Sequence, residues 1–371
     1  FGMKMEHAYS RKVCISTNLT CNVKCIYCYE REKKNIELDV DEAIGVLTEI
    51  LNTKTESGTK IKLHGGEPFL VYDKIKQLCE TLWNKNFNDY YHFHVTTNGT
   101  LVHGEIQEWL IKNKDKITLK LSLDGDKRSN DINRPHSFDL IDLPFFLSTW
   151  PDLRVNMTIT PSTIPFFASN IKYLHSVGIR NILCHFSLFT DWSKCNMKAD
   201  FYNQLLDLID YYIENPHIKP CSFFTYNIAR TLDKREYCSS CNIGEMKAFD
   251  FQTKKYYPCY MCFPSVAGDK KSAELEKIDF SKCADTEKEC CIKCPFINLC
   301  FTCYADNYIA RGSVSNRDMN LCPYYKLVFC ALFKYEYLRI LRLKRPTFDD
   351  VLKMKAIQKW HHEVENITTH L

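Results

Sequence analysis

The chain has 371 residues, with 49 Lys+Arg against 45 Asp+Glu and a formal charge of +4, a near balance that excludes a protein built to coat nucleic acid. With 45% hydrophobic residues and only 12 Gly and 13 Pro, the composition excludes collagen-like, linker-like and globally disordered classes. The longest nearly apolar stretch, around Leu327–Phe333, falls far short of the roughly 20 residues that span a bilayer, so no membrane span is expected.

The opening Phe1-Gly2-Met3-Lys4 shows no apolar stretch followed by a small-residue cleavage site, and a cytoplasmic location is expected. From there, apolar alternation and β-branched runs predict strands at Lys12–Thr17, Lys60–His64, Tyr91–Thr97, Ile117–Leu123, Leu153–Ile159 and Asn181–Phe186. Helical periodicity fills the intervals at Asp41–Leu51, Tyr72–Lys85, Glu105–Asn113, Phe138–Thr149, Phe166–Val177 and Ala199–Ile213. Asp39 and Asp41 read as start signals and Gly178 as a C-terminal cap. This βα alternation implies an α/β fold with a parallel sheet and right-handed crossovers, either doubly wound or curled into part of a barrel.

The strand ends carry unusual chemistry. The first strand runs into a cysteine loop, the second into Gly65-Gly66-Glu67-Pro68, the third into Thr97-Asn98-Gly99-Thr100 and the fourth into Asp124-Gly125. C-terminal strand ends are where barrel-type α/β enzymes assemble their sites. After Ser222–Tyr226 the periodicity breaks down, and a boundary near residue 230 is expected, dividing the chain into 8–230, a cysteine-rich 231–325 and a helical tail, 326–371. Lys334, Arg339, Arg342, Lys344 and Arg345 give that tail a basic stripe, read as a solvated face.

Cysteine is the compositional outlier. Twenty thiols in a chain without an export signal point to metal binding and not to a disulfide framework. Three lie in Cys21–Cys28 and eleven between Cys238 and Cys322, which implies two separate metal regions. Cys21, Cys25 and Cys28 stand at CxxxCxxC spacing directly after a strand, and no further thiol follows until Cys79. A closed tetrahedral zinc site would need a fourth nearby ligand, whereas a [4Fe–4S] cubane on three thiolates keeps one iron open for a small chelating molecule.

This loop, with Tyr27 before its last cysteine and its place after the first of six βα units, resembles the radical SAM superfamily. The resemblance implies a partial (β/α)6 TIM-like barrel that binds S-adenosylmethionine on the open iron. It also implies reductive cleavage to methionine and a 5′-deoxyadenosyl radical that removes a hydrogen atom from the substrate. By the same resemblance Gly65, Gly66, Glu67 and Pro68 contact the amino end of the cofactor, Ser122 the ribose, Arg134 the methionyl carboxylate and Leu183 the adenine. A guanidinium fork suits a planar carboxylate.

The second group contains Cys291-x2-Cys294-x5-Cys300-x2-Cys303, then Cys322, with Cys238, Cys241 and Cys259 upstream. It resembles the SPASM extension of radical SAM enzymes, which holds two auxiliary [4Fe–4S] clusters. The resemblance assigns Cys238, Cys241, Cys259 and Cys303 to the first and Cys291, Cys294, Cys300 and Cys322 to the second, with Cys262 and Cys290 as neighbours able to replace a ligand. Two departures stand out: the final pair is Cx2C where Cx3C is usual, and Lys254 occupies an expected glycine. Cys14, Cys79, Cys184 and Cys330 sit in apolar patterns and are expected in the core.

Enzymes of this layout modify peptides or proteins. Those that mature sulfatases carry an aspartate base where this chain has Tyr260, and a phenol with a pKa of about 10 is a poor general base at neutral pH. The expected activity is therefore oxidative modification, with cross-linking favoured, of a side chain in a ribosomally made peptide. Formylglycine formation on a sulfatase is the alternative, and a non-catalytic iron–sulfur or zinc-stabilised binding protein is the alternative of another class. No catalytic base is assigned. A reduced flavodoxin- or ferredoxin-type electron donor is implied. Twenty residues before Cys21 are too few for a winged-helix leader-binding module, so capture is expected through the barrel mouth, the cysteine-rich region or a separate leader-binding protein. Tyr9, Tyr29, Phe223, Phe224 and Tyr226 are the aromatics that could line such a surface, with ordinary packing the expected role.

Overall fold

The computed structural model describes residues 9–30, 33–233, 243–280, 288–300 and 302–369. They form two compact units. The first takes the described residues of Phe1–Ser122, Arg134–Leu153 and Asn242–Ile278, and the second those of Leu123–Asn133, Arg154–Cys241 and Asp279–Leu371.

The six expected strands are present as β1 (Arg11–Ser16), β2 (Thr59–His64), β3 (Tyr91–Thr97), β4 (Ile117–Ser122), β5 (Arg154–Ile159) and β6 (Asn181–Phe186). Two more follow, β7 (Met246–Asp250) and β8 (Lys255–Tyr257). In the first unit β1 to β4 are parallel neighbours, and β7 extends that sheet by pairing parallel to β1, from Lys12↔Met246 to Ile15↔Phe249. In the second unit β5 and β6 form a parallel pair. The α/β class and the parallel sheet expected from the alternation are both observed.

The packing units cut across the linear division at 230. β7 is five residues of mixed polarity and β8 three, too short for an alternation that stands out from the surrounding cysteine-rich sequence. The parallel partner of β7, β1, lies more than 200 positions earlier in the chain, and β8 pairs antiparallel with β7.

Parallel register sorts the first sheet into two unlike faces. Val13, Ile15, Ile61, Leu63, Phe93, Val95, Leu119 and Leu121 form a fully buried apolar face. Cys14 pairs with Lys62 and Ser16 with His64 on the other face, which also carries Lys60, His92, His94 and Lys120. A polar face within a parallel sheet is what a ligand site requires, because such strands otherwise read as continuous apolar runs.

Local signals hold at helix ends. Asp39 caps the helix Val40–Leu51 by accepting from the Glu42 N–H at 3.1 Å. Gly178, at φ 98°, follows the helix Phe167–Ser176. Its N–H donates to His175 while that of Ile179 donates to Leu174, each at 3.0 Å, closing the helix with a left-handed glycine. The helix Phe138–Thr149 is instead a short turn, Phe138–Leu140, and a helix, Leu143–Thr149, because Pro144 follows Asp142, whose side chain caps Phe145. The helix Lys127–Asn133 was not anticipated; six of its seven residues are polar, and Ile132 alone makes no apolar stripe.

Cys14, Cys79, Cys184 and Cys330 are buried as expected. Phe223 and Phe224 are each 2% exposed and pack on Phe167, Phe186, Tyr212 and Tyr335. They are core, the ordinary packing expected of them. No helix among the described residues is long and apolar enough to cross a membrane.

The tail forms two helices, Cys322–Leu341 and Phe348–Thr369. Arg339 leaves the expected solvated stripe to bridge them, reaching Glu336 Oε2 at 2.6 Å and Asp350 Oδ1 at 2.5 Å. Lys353 reaches Glu336 Oε1 at 3.1 Å. Burial opposes ionisation of Asp350, yet Arg339 and the Thr347 donors hold its carboxyl down at about 2. A depressed carboxyl contributes stability above its ordinary pKa of 3.8 and loses it as pH falls through about 2. The stability gap between the wild type and Asp350→Asn, read by urea unfolding, is therefore expected to be full at neutral pH and to close across that acidic window.

Candidate active site

β1 leads into the first cysteine loop, and the Thr17 N–H donates to the His64 carbonyl at 2.6 Å, locking that exit to the end of β2. In the loop the Cys28 N–H donates to the Cys25 carbonyl at 3.2 Å, a tight turn between the last two thiols. Cys21 and Cys25 are half-buried and Cys28 is exposed. Burial pushes the Cys21 thiol up, so a thiolate-bound metal would displace its proton on binding.

Arg134 reaches this loop from 109 residues away. It is 8% exposed, its Nη1 lies 3.6 Å from Cys25 Sγ, and its guanidinium sits 5.3 Å from the centre of the Tyr27 ring. The structure thus unites Tyr27, Cys25 and Arg134. Ser122 ends β4 and is 9% exposed. Leu183 lies in β6, in register with Asn156 and inside the second unit.

The Gly65–Pro68 turn is bound to the loop through its backbone. The Gly66 N–H donates to Asn18 O at 3.0 Å and the Glu67 N–H to Thr20 O at 2.9 Å. Both glycines are dictated by this approach. A Cβ on Gly65 would lie 2.4 Å from Asn18 Oδ1, and one on Gly66 would lie 2.0 Å from Thr20 O.

Glu67 is 1% exposed and fastens the turn to the end of β3. Its Oε1 accepts from Thr97 Oγ1 at 2.8 Å and the Phe69 N–H at 3.2 Å, and its Oε2 accepts from the Asn98 N–H at 2.7 Å. Burial pushes the carboxyl up to about 7 against these donors and Arg134. Glu67→Ala would strand three buried donors at about 1–3 kcal/mol each. We expect several kcal/mol of lost stability in urea unfolding, with Glu67→Gln losing less.

Asn98, read from sequence only as part of a turn, places Nδ2 3.9 Å from Cys21 Sγ and 2.9 Å from Asn22 Oδ1. Its Oδ1 accepts from the Thr100 N–H at 2.9 Å. Sequence reasoning also missed an aromatic and cationic cluster on the polar sheet face. The Tyr29 hydroxyl and His64 Nε2 share a hydrogen bond of 3.2 Å, and Tyr260 lies 4.2 Å from His64 between ring centres. Lys62 Nζ stands 4.1 Å from the Tyr260 ring centre. Burial, reinforced by Lys62, pulls His64 well below its ordinary value and disfavours the imidazolium. A bond from Cys262, with the Met261 N–H and Lys62, holds the Cys259 thiol low despite burial. The available signal was His64, standing directly before Gly65-Gly66.

In the second unit Cys291, Cys294, Cys300 and Cys322 line one cavity of about 100 Å³. Cys290 and Cys303 line it too. Cys303 was expected with the other cysteine set. Of that set, Cys259 belongs to the first unit, and Cys238 and Cys241 lie outside the described residues. Among the described residues no three His, Cys, Asp or Glu side chains are close enough to hold a single metal ion. A cubane carries each thiolate on a separate iron, so its ligands stand farther apart than the donors of one ion. Six thiols around one cavity therefore fit a cluster.

Comparison with known proteins matches residues 15–142 to the radical SAM superfamily. Residues 15–142 are a radical SAM domain. An uncharacterized protein of Methanocaldococcus jannaschii is 27% identical over 220 residues, covering 56% of this chain and 74% of that one. A probable GTP 3′,8-cyclase of Methanococcus maripaludis is 31% identical over 121 residues, 32% of this chain and only 39% of that one. Among solved structures, anSMEcpe, an anaerobic sulfatase-maturating enzyme, with bound AdoMet superposes at a TM-score of 0.65 and 20% identity, covering 89% of this chain and 98% of that one. Streptococcus suis SuiB bound to precursor peptide SuiA gives a TM-score of 0.55 at 18% identity, covering 84% and 76%. The radical SAM domain therefore sits in a chain with the α/β fold of these enzymes.

Proposed function

We propose that this chain is a radical SAM peptide maturase that oxidatively modifies, by cross-linking, a side chain of a ribosomally made peptide. One observation carries the reading: a three-thiol loop with Arg134 against Cys25, in a fold shared with solved structures described with bound AdoMet and peptides. When bound, the [4Fe–4S] cluster and S-adenosylmethionine would supply a 5′-deoxyadenosyl radical that abstracts a substrate hydrogen.

Cys21, Cys25 and Cys28 would hold that cluster. The Arg134 fork would take the methionyl carboxylate, and the Gly65–Pro68 turn, Ser122 and Leu183 would contact the amino group, ribose and adenine. The auxiliary clusters would use Cys238, Cys241, Cys259 and Cys303, and Cys291, Cys294, Cys300 and Cys322. The convergence of Cys303 on the second set's cavity makes it an alternative ligand there. A flavodoxin- or ferredoxin-type donor would supply electrons, the barrel mouth, the cysteine-rich region or a separate leader-binding protein would capture the peptide, and the setting would be cytoplasmic.

Tyr260, tilted against His64 where sulfatase-maturating relatives carry an aspartate, ranks peptide cross-linking above formylglycine formation. Anaerobic reconstitution tests the reading. About twelve irons per chain, reductive cleavage of S-adenosylmethionine, and a candidate precursor peptide that loses hydrogen mass would support it. Stable zinc without cleavage would identify a binding module, and a peptide of unchanged mass but inverted stereochemistry would identify an epimerase.

A further inference from the structure

Arg317 is only 7% exposed and lines the cavity of the second cysteine group. Its Nη1 donates to Cys300 Sγ at 3.1 Å. The backbone around it is tied on both sides. The Arg317 N–H donates to Ser315 O at 3.0 Å, Arg311 Nε donates to Asn316 O at 2.6 Å, and Asp318 Oδ1 accepts from the Asn320 N–H at 2.9 Å. The guanidinium is therefore held inside the wall and does not extend toward water as a long basic side chain ordinarily would.

Among the described residues of the same wall, Asp306 and Asp318 face Arg311 at 2.6 and 3.9 Å, whereas Arg317 Nη1 meets the Cys300 sulfur. Cys300 and Cys322 line the same cavity as Arg317, so its charge lies beside thiols assigned to one auxiliary cluster.

We propose that Arg317 is a positioning residue for an auxiliary cluster on Cys291, Cys294, Cys300 and Cys322, raising that cluster's reduction potential through its charge and its N–H···S bond to Cys300. The inference rests on the function proposed above. Adding one electron makes the cluster more negative, and a fixed cation bonded to a ligand sulfur stabilises the reduced form. Such a cluster is the better acceptor for an electron leaving an oxidised substrate.

The test uses the full chain with Cys21, Cys25 and Cys28 changed to alanine, so that only auxiliary clusters contribute. Arg317→Gln and Arg317→Lys are made in that background, reconstituted anaerobically, assayed for iron and titrated with dithionite under electron paramagnetic resonance. In Arg317→Gln the midpoint of one cluster is expected to move to more negative potential with altered g values, and Arg317→Lys is expected to restore most of the shift. Full iron with an unmoved midpoint in Arg317→Gln, or an equal shift in Arg317→Lys, overturns the role of charge while leaving the proposed function standing. If Arg317→Gln fails to retain iron, the lysine variant decides: a wild-type midpoint supports the proposal and a displaced one overturns it. A parent chain that takes up zinc and no iron overturns both the inference and the function beneath it.

Discussion

Cys25→Ala is expected to abolish S-adenosylmethionine cleavage in the reconstituted protein, measured as 5′-deoxyadenosine released under dithionite. Three thiolates leave one iron open, and removing one of them exposes a second iron and unsettles the cluster. Cys25 is also the thiol beside Arg134, at 3.6 Å, so the substitution removes the link between the metal loop and the residue read as the carboxylate clamp. Arg134→Lys should retain the charge but lose the two-pronged fork and the placement over Tyr27, weakening S-adenosylmethionine binding by about 10–100-fold. Far-UV circular dichroism should be unchanged in both variants, because neither position builds the sheet. Cleavage persisting in Cys25→Ala would mean that another side chain ligates the cluster.

Gly66→Ala should be as damaging, although it removes no functional group. The added Cβ would lie 2.0 Å from the Thr20 carbonyl oxygen, 2.6 Å from its carbon and 3.1 Å from Cys21 Cβ. Two of those neighbours are backbone atoms, so relief requires moving Thr20 and with it Cys21. Overpacking of this kind costs about 1–3 kcal/mol, and here the strain falls on Cys21, the first thiol of the proposed cluster. We expect lower stability in urea unfolding together with loss of bound iron. Gly45→Ala serves as the control. Gly45 is exposed in the helix Val40–Leu51 with nothing within 4 Å of a Cβ, and alanine there should stabilise by about 0.5–1 kcal/mol. Equal behaviour of the two variants would show that the turn tolerates a side chain.

The six βα strands were legible because each pairs a short apolar or alternating run with a polar, glycine-marked exit, and these are local properties. The three-thiol loop was legible for the same reason, since spacing within eight residues already restricts which metal group can be held. Glu67 shows where local reading stops. Sequence placed it in a cofactor turn, whereas the structure uses its carboxylate to fasten that turn to Thr97 and Asn98, partners about 30 residues away. Arg339 shows the same limit. Its spacing suggested a solvated stripe, but Glu336 and Asp350 draw it between two helices.

From the order of its residues alone, this protein's α/β class, its parallel strands and its three-thiol loop could be read, because hydrophobic period, turn chemistry and thiol spacing act over a few residues. Only the tertiary structure brought β7 beside β1, Arg134 to Cys25, Tyr260 onto His64 and Arg317 to Cys300. Those pairings depend on which distant segments exclude water together, and burial, which decides what each charge and thiol must find as a partner, has no local signature in the chain.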